Sequence, residues 1–300
     1  NPSDSGEQKL QIGIIQPAEH AALDSAREGF VDTLADHGYV DGETIEIDYQ
    51  NAQGDSSALL TISQRFVGDD CDLVLAIGTG AAQSIASQTS EIPVLITAVT
   101  DPVDAGLVQS NEAPGTNITG TNDMNPIREQ MELIREFLPD VQTVGLLYTS
   151  SEDNSALQIQ EVKAVLEEMN VGYVEQTVTG SNDVQQAVQS ILGKCDALYI
   201  PTDNTLAASA ALVGSAAQTA KIPVFWGEGN CVAEGGLASL GLDYYNLGRQ
   251  TGEMAVEVLE GADPAVMPIQ SQSDYSYTIS KSMAEEIEIE IPKHLLEFAE

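Results

Sequence analysis

Short apolar runs alternate with longer stretches of helical periodicity along almost the whole chain. Gln11-Ile-Gly-Ile-Ile-Gln16 predicts a strand, and Leu23, Ala26, Phe30 and Leu34 then recur at helical spacing until Gly38 stops the helix. Thr44 to Tyr49 alternates as a strand with one wet face, and Leu59, Leu60, Ile62 and Phe66 mark the next helix. Asp72 to Ile77 predicts a third strand, Ala81 opens a helix, and Pro93 to Val99 closes the series. The order βαβαβαβ implies a parallel sheet covered by helices on both faces.

The second half repeats that order. Thr143 to Tyr148 corresponds to the first strand, and Ala156, Ile159, Val162, Leu166 and Met169 to the first helix. Cys195-Asp-Ala-Leu-Tyr-Ile200 echoes Cys71-Asp-Leu-Val-Leu-Ala-Ile77, and Lys221-Ile-Pro-Val-Phe225 echoes Glu91-Ile-Pro-Val-Leu95. Two echoes in the same order predict tandem α/β lobes. The polar segment from Thr116 to Asn125, with Gly120, is expected to be the first crossing between lobes. The Ala-rich stretch from Ala207 to Ala220 reads as one packed helix, and Tyr244 to Leu259 as an amphipathic one. A strand-like Tyr275 to Ile279 and an acidic tail helix follow, so the chain is expected to cross back through a hinge of about three strands. The expected division is a flexible lead over 1–8, a first lobe of 9–120 with 244–270, and a second of 121–243 with 271–300. The polar lead suits a tether, with any targeting segment removed or never present.

Charge narrows the classes. The 300 residues carry 47 acidic and 11 basic side chains, a net −36. Nucleic-acid binding requires clustered Lys and Arg, and an anionic membrane face requires the same, so both are excluded as partners. Such acidity favours a soluble monomer. No run reaches the roughly 18 apolar residues of a spanning helix. Three cysteines are too few for a disulfide scaffold, and Cys71 and Cys195 read as small buried hydrophobes. The histidines His20, His37 and His294 are scattered without metal-ligand spacing, so no metal and no cofactor is expected.

In doubly wound sheets ligands lie beyond the carboxyl ends of the strands. The segments there are Gln16 to His20, Gly78 to Ala81, Val99 to Asp101, Tyr148 to Ser155, Pro201 to Thr205 and Gly227 to Asn230. They carry hydroxyls, amides and carboxylates, and His20 is their sole basic side chain. Thr79 and Thr100 suit a ligand carboxylate, and Asp203 or Glu228 an ammonium, with helix capping as the competing role for Asp203 and Asn204. A zwitterionic amino acid fits that inventory better than a phosphate. Gly78-Thr-Gly80 is half a dinucleotide fingerprint without its third glycine. No nucleophile elbow is present, so no catalytic residue is assigned. Asn117-Ile-Thr119 matches a glycosylation acceptor but reads as a surface turn. Leu23, Tyr148 and the single tryptophan, Trp226, are expected to enclose an apolar ligand side chain.

Ile12 to Gln16, Asp48 to Asp55, Ile96-Thr-Ala-Val-Thr-Asp-Pro102, Asn154-Ser155, Ile200 to Thr205 and Leu242-Asp-Tyr-Tyr-Asn-Leu-Gly248 are further marks. Together they resemble the substrate-binding proteins of ABC transporters, in the group for tryptophan or tyrosine uptake, from Lys9 to about Leu296. The resemblance implies a type I periplasmic-binding-protein-like fold, two Rossmann-like lobes closing on an aromatic amino acid. It also implies permease subunits as partners and a periplasmic or lipid-anchored home outside the cytoplasm. Carried over by position, it points to Thr79, Ala81, Thr100, Asn154, Ser155 and Asp203 as ligand contacts. The strand ends add Gln16, His20, Leu23, Asp101, Tyr148, Thr202, Asn204, Trp226 and Glu228. The family often has Thr-Pro-Ala-Ala where this chain has Thr79-Gly-Ala-Ala82, and Phe225-Trp-Gly-Glu228 is unusual at its place. The expected function is delivery of such an amino acid to a membrane importer without catalysis. A ligand-sensing receptor domain, or an α/β enzyme acting on a nucleotide or sugar, are the alternatives.

Overall fold

A computed structural model describes residues 9–300, so the expected lead over 1–8 lies outside the described residues. The chain divides into two compact units. The first holds residues up to Pro17, Ser25–Asn122 and Tyr244–Gln270, and the second holds Ala18–Asp24, Asp123–Asp243 and Ser271–Glu300.

In the first part of the chain the elements are β1 (Leu10–Gln16), α1 (Ala21–Asp36), β2 (Ile45–Asn51), α2 (Ser56–Gly68), β3 (Leu73–Ile77), α3 (Thr79–Ala86), β4 (Val94–Val99) and β5 (Ile118–Asn122). Next come α4 (Ile127–Phe137), β6 (Thr143–Thr149), α5 (Asp153–Glu168), β7 (Gly172–Val178), α6 (Val184–Leu192), β8 (Ala197–Ile200), α7 (Asn204–Ala207), α8 (Ala210–Ala220), β9 (Val224–Trp226) and β10 (Ala238–Gly241). The chain ends with α9 (Tyr244–Leu259), β11 (Gln270–Ser271), β12 (Ser276–Ile279) and α10 (Lys281–Glu286). The first sheet runs β11-β5-β4-β3-β1-β2 and the second β12-β10-β9-β8-β6-β7. Apart from antiparallel β12, the second sheet is parallel. This is the α/β class that the alternating pattern predicts, built twice.

The two echoes in the sequence have physical causes. Asp72, just before β3, accepts from Gln11 N at 2.8 Å, and Asp196, just before β8, accepts from Gln142 N at 2.9 Å and Thr143 N at 2.8 Å. Each aspartate ties the start of the third strand to the start of the first. The prolines sit at strand entry, where a missing N–H costs nothing. Pro93 O accepts from Val74 N at 3.0 Å and Pro223 O from Leu198 N at 2.9 Å. A Cβ on Gly13 would meet the Phe66 ring at 2.8 Å, and one on Gly145 the Cys195 sulfur at 2.8 Å, so both first strands need glycine where the covering layer presses closest.

Alternating side chains divide the second sheet between two cores. Leu146, Tyr199 and Phe225 pack with α4 and α5, while Leu147, Leu198, Ile200 and Trp226 pack with α6 and α8. In the first unit α9 crosses α1 at glycine: a Cβ on Gly248 would lie 1.9 Å from Ala26 O, and one on Gly29 2.1 Å from Tyr245 O.

Several elements differ from expectation. The chain passes from the first unit to the second at Asn122–Asp123, inside the segment expected for the crossing, but the part around Gly120 is a strand, β5, whose buried threonines are hydrogen bonded: Thr119 donates to Met267 O at 2.7 Å and Thr121 to Thr97 Oγ1 at 3.2 Å. The Ala-rich helix is broken at Ala208–Ser209 into α7 and α8. The tail is the short α10 and a 3-10 turn, Lys293–Phe298, rather than one helix. Asn117 is half-buried and its Nδ2 donates to Ile92 O at 2.6 Å, which ties down the amide of the glycosylation-like triplet.

Candidate functional site

In each sheet the strand order reverses beside the first strand of the repeat, between β3 and β1 and between β8 and β6. At such switch points the loops separate and leave a crevice at the strands' carboxyl ends.

In the first unit, β1 ends at Gln16, which is fully buried. Gly78, after β3, takes φ 84°, a left-handed turn that a side chain would resist. Its N–H bonds Thr97 O at 2.9 Å, so the tips of β3 and β4 are pinned side by side. Thr79 opens α3, is 3% exposed, and its Oγ1 finds no hydrogen-bond partner in the protein. Ala81 is buried, and Thr100 is buried beyond the end of β4. The β4 end is kinked: Ala98 has φ 54° and the pairing with β5 shifts between Ile96 and Val99. Asp101 turns inward on its own loop, accepting from Val103 N at 2.9 Å and Asp104 N at 3.0 Å. That makes it a turn former rather than a free acceptor.

The second unit is far richer in fixed polar contacts. Asp203, after β8, accepts from Thr149 N at 2.6 Å, Thr149 Oγ1 at 2.8 Å and Leu206 N at 2.9 Å. It caps α7 and ties β8 to the tip of β6 across the switch point. Burial, and then the charge of Glu152, raise its pKa to about 7, against the pull of the bonds from Leu206 and Thr149. Glu152 binds the same short helix from the other side, accepting from Asn204 N at 2.9 Å, Asn204 Nδ2 at 2.7 Å, Thr205 N at 2.9 Å and Thr205 Oγ1 at 2.8 Å. Asn154 Nδ2 donates to Thr202 O at 2.8 Å and Ser155 Oγ to the same oxygen at 3.4 Å. Gln158 Nε2, one helical turn on, donates to Thr202 Oγ1 at 2.6 Å.

One tip departs from this saturation. Glu228, two residues past β9, is 3% exposed; Oε1 accepts from the Cys231 thiol at 2.7 Å, and Oε2 finds no partner in the protein. Burial and the Glu228 charge push the Cys231 thiol up. Glu228 and Cys231 line a cavity of about 260 Å³ with Glu19, His20, Asn230 and Glu234. His20 lies in the segment that clusters with the second unit, its Nε2 3.2 Å from Asn204 Oδ1 and its Nδ1 buried without a partner.

The structure thus gathers Asn154, Ser155, Thr202, Asp203 and Asn204 in one network, and His20 and Glu228 in the adjoining cavity. It does not gather the expected aromatic enclosure. Trp226 packs in the core on the α6 and α8 face, whereas Tyr148 lies on the opposite face with its hydroxyl donating to Glu175 at 3.1 Å. Leu23 is buried, in the segment that clusters with the second unit. Thr149, Glu152 and Gln158 were not singled out by sequence reasoning. The one-turn spacing of Gln158 from Asn154 was the available signal for the last. Among the described residues no group of three His, Cys, Asp or Glu side chains is placed to hold a metal ion. None of their helices is long and apolar enough to cross a membrane.

A family model described as ABC transporter substrate binding protein matches residues 11–300, and the chain belongs to that family. A tyrosine-binding protein of Clostridioides difficile (strain R20291) is 40% identical over 288 residues, covering 96% of this chain and 83% of its own. A conserved domain protein from Vibrio cholerae has a solved structure that superposes with a TM-score of 0.95 at 38% identity, covering 97% of this chain and 99% of its own. An ABC domain from Streptococcus pneumoniae, solved in complex with L-Trp, superposes with a TM-score of 0.94 at 40% identity over the same shares.

Proposed function

We propose that this protein binds a free aromatic amino acid outside the cytoplasm and hands it to the permease subunits of an ABC importer, acting as a monomer and without catalysis. The observation that carries the reading is that two of the buried, unpartnered groups at the strand ends are a hydroxyl in the first unit, Thr79 Oγ1, and a carboxylate oxygen in the second, Glu228 Oε2. A buried polar atom without a partner is costly, so a binding protein tolerates it where a ligand supplies the partner. Thr79 stands at the start of α3, where free backbone N–H groups favour an anion such as a carboxylate. Glu228 offers the complementary charge. A zwitterion requires both kinds of partner, and the tyrosine-binding relative and the L-Trp complex support an amino acid with an aromatic side chain.

Native mass spectrometry of the purified protein, followed by calorimetry with the twenty amino acids, tests this. Saturable one-to-one binding of tyrosine, tryptophan or phenylalanine, tighter than that of aliphatic amino acids, is the expected result. Binding only to a sugar or nucleotide, or turnover of any added compound, would sink it.

A further inference from the structure

Features that solve the packing problem recur in both units, as the aspartates before β3 and β8 and the prolines before β4 and β9 do. One backbone feature does not recur. Ala98 on β4 is buried and holds φ 54°, a left-handed conformation that alanine adopts only at a steric cost. The β4–β5 pairing advances from Ile96 opposite Gly120 to Val99 opposite Asn122, so β4 carries one residue more than β5 over that stretch. The core repeats the count: Val94, Ile96 and Val99 pack in one cluster, at spacings of two and then three. This is a β-bulge, uncommon in a parallel pair. Counted from Pro93 and Pro223, the residue of the second unit at the place of Ala98 is Glu228. Its φ of −134° is ordinary extended backbone, and β9 pairs with β8 and β10 without a shift. The shared scaffold therefore does not require the bulge, and a strained residue at a strand end beside a candidate site calls for another cause.

We infer that Ala98 is a positioning residue for binding: its bulge fixes where β4 ends and, through one hydrogen bond, where Thr79 stands at the start of α3. Thr97, the residue before Ala98, accepts at its carbonyl from Gly78 N at 2.9 Å. Gly78, itself at φ 84°, leads directly into Thr79, whose buried Oγ1 has no partner in the protein. That bond joins the left-handed turn before α3 to the bulge in β4. From the core side, Thr121 Oγ1 donates to Thr97 Oγ1 at 3.2 Å and lies 2.8 Å from Thr251 Oγ1 of α9, so buried hydroxyls hold the bulge in place. The inference rests on the reading of Thr79 as a partner of the ligand's carboxylate, and adds the residue that sets its position.

The test removes the bulge and leaves the core faces as they are. Deleting Ala98 brings Thr97 opposite Thr121 and keeps Val99 opposite Asn122, an even register. Calorimetry on folded protein compares ligands that differ only in the carboxylate: L-tyrosine with tyramine, and L-tryptophan with tryptamine. Wild-type protein is expected to favour the amino acid over the amine. The deletion is expected to lower that preference about tenfold or more, chiefly by weakening amino acid binding. Ala98→Gly, which takes a positive φ freely and so keeps the bulge, is expected to retain the preference. Should the deletion fail to fold, Ala98→Val replaces it, because a β-branched side chain resists left-handed backbone, and is expected to lower the same preference. A preference unchanged in the variant that folds overturns the inference, as does a loss in Ala98→Gly equal to that in the deletion. Failure of both the deletion and Ala98→Val to fold also overturns it, and assigns the bulge to the scaffold. Wild-type protein that binds the amines as tightly as the amino acids is a different result, and overturns the carboxylate reading of Thr79. Binding of neither amino acid overturns the aromatic amino acid reading itself.

Discussion

The two units share one scaffold and differ in what they hang on its strand ends. In both, the first strand is flanked by the second and third, an aspartate ties the third strand to the start of the first, and a proline carbonyl anchors the third strand to the fourth. The first unit ends its strands in hydroxyls, a left-handed Gly78 and a kink at Ala98, with the carboxylates Asp55 and Asp101 each taken up by the backbone of its own loop or helix start. The second ends them in Glu152, Asp203 and Glu228 and a dense hydrogen-bond network. The shared features are structural and recur because the packing problem recurs. The features that differ are the polar groups at the strand ends: hydroxyls in one unit, carboxylates in the other.

If the units are separate folding problems, a lesion confined to one should leave the other standing. Gly248→Ala is the strongest such lesion, because its Cβ would fall 1.9 Å from the backbone oxygen of Ala26, and neither helix backbone can yield cheaply. A loss of about 3 kcal/mol or more is expected in the first unit alone. Urea unfolding followed by circular dichroism should then show two transitions, the second at the wild-type midpoint. A single transition shifted as a whole would mean that the units unfold together.

The shared scaffold was legible in the sequence because its causes are local. The Cys-Asp and Ile-Pro-Val echoes, the alternating Thr44 to Tyr49 strand and the helical spacing of Leu23 to Leu34 need no knowledge of partners. The strand β5 was hidden because Thr119 and Thr121 look like loop residues until Met267 O and Thr97 satisfy them. The site was legible only as a set of strand ends. Nothing within Pro201 to Thr205 tells that Thr149, 54 residues earlier, engages both oxygens of Asp203. Nor does Gly227-Glu228 tell that one of its oxygens is left over. Trp226 misled for the same reason: its place before a site loop says nothing of which sheet face it takes.

Two threonines sharpen the contrast between a scaffold tip and a ligand tip. Thr149 Oγ1 donates to a buried carboxylate, so Thr149→Val should cost about 2 kcal/mol of stability. Thr79 Oγ1 bonds nothing in the protein, so Thr79→Val loses no contact and should leave the urea midpoint at or slightly above wild type. Its cost should appear in calorimetry, as about tenfold weaker amino acid binding. Thr79→Val that unfolds easily and binds normally would assign the hydroxyl to the scaffold.

The last effect is a slope with pH, and it isolates Asp203 from the rest of an acidic molecule. An unfolded aspartate titrates near 3.9, roughly, whereas burial and Glu152 raise the folded Asp203 to about 7. Between those values the folded state holds the extra proton, so this group's contribution to stability is fully present below about pH 4 and is lost as pH rises through about 7. The sign is the reverse of a salt-bridged carboxylate. Forty-seven acidic side chains against 11 basic ones repel one another as they ionise, which also lowers stability with rising pH, so the raw curve cannot be assigned to one residue. Subtracting the curve of Asp203→Asn removes that common background, since Asn retains capping ability without a titrating proton. The difference should slope downward between pH 4 and 7, by at most about 1.4 kcal/mol per pH unit, the limit for one proton. Parallel curves would mean that Asp203 stays ionised across that range, and that its bonds from Thr149 and Leu206 outweigh its burial.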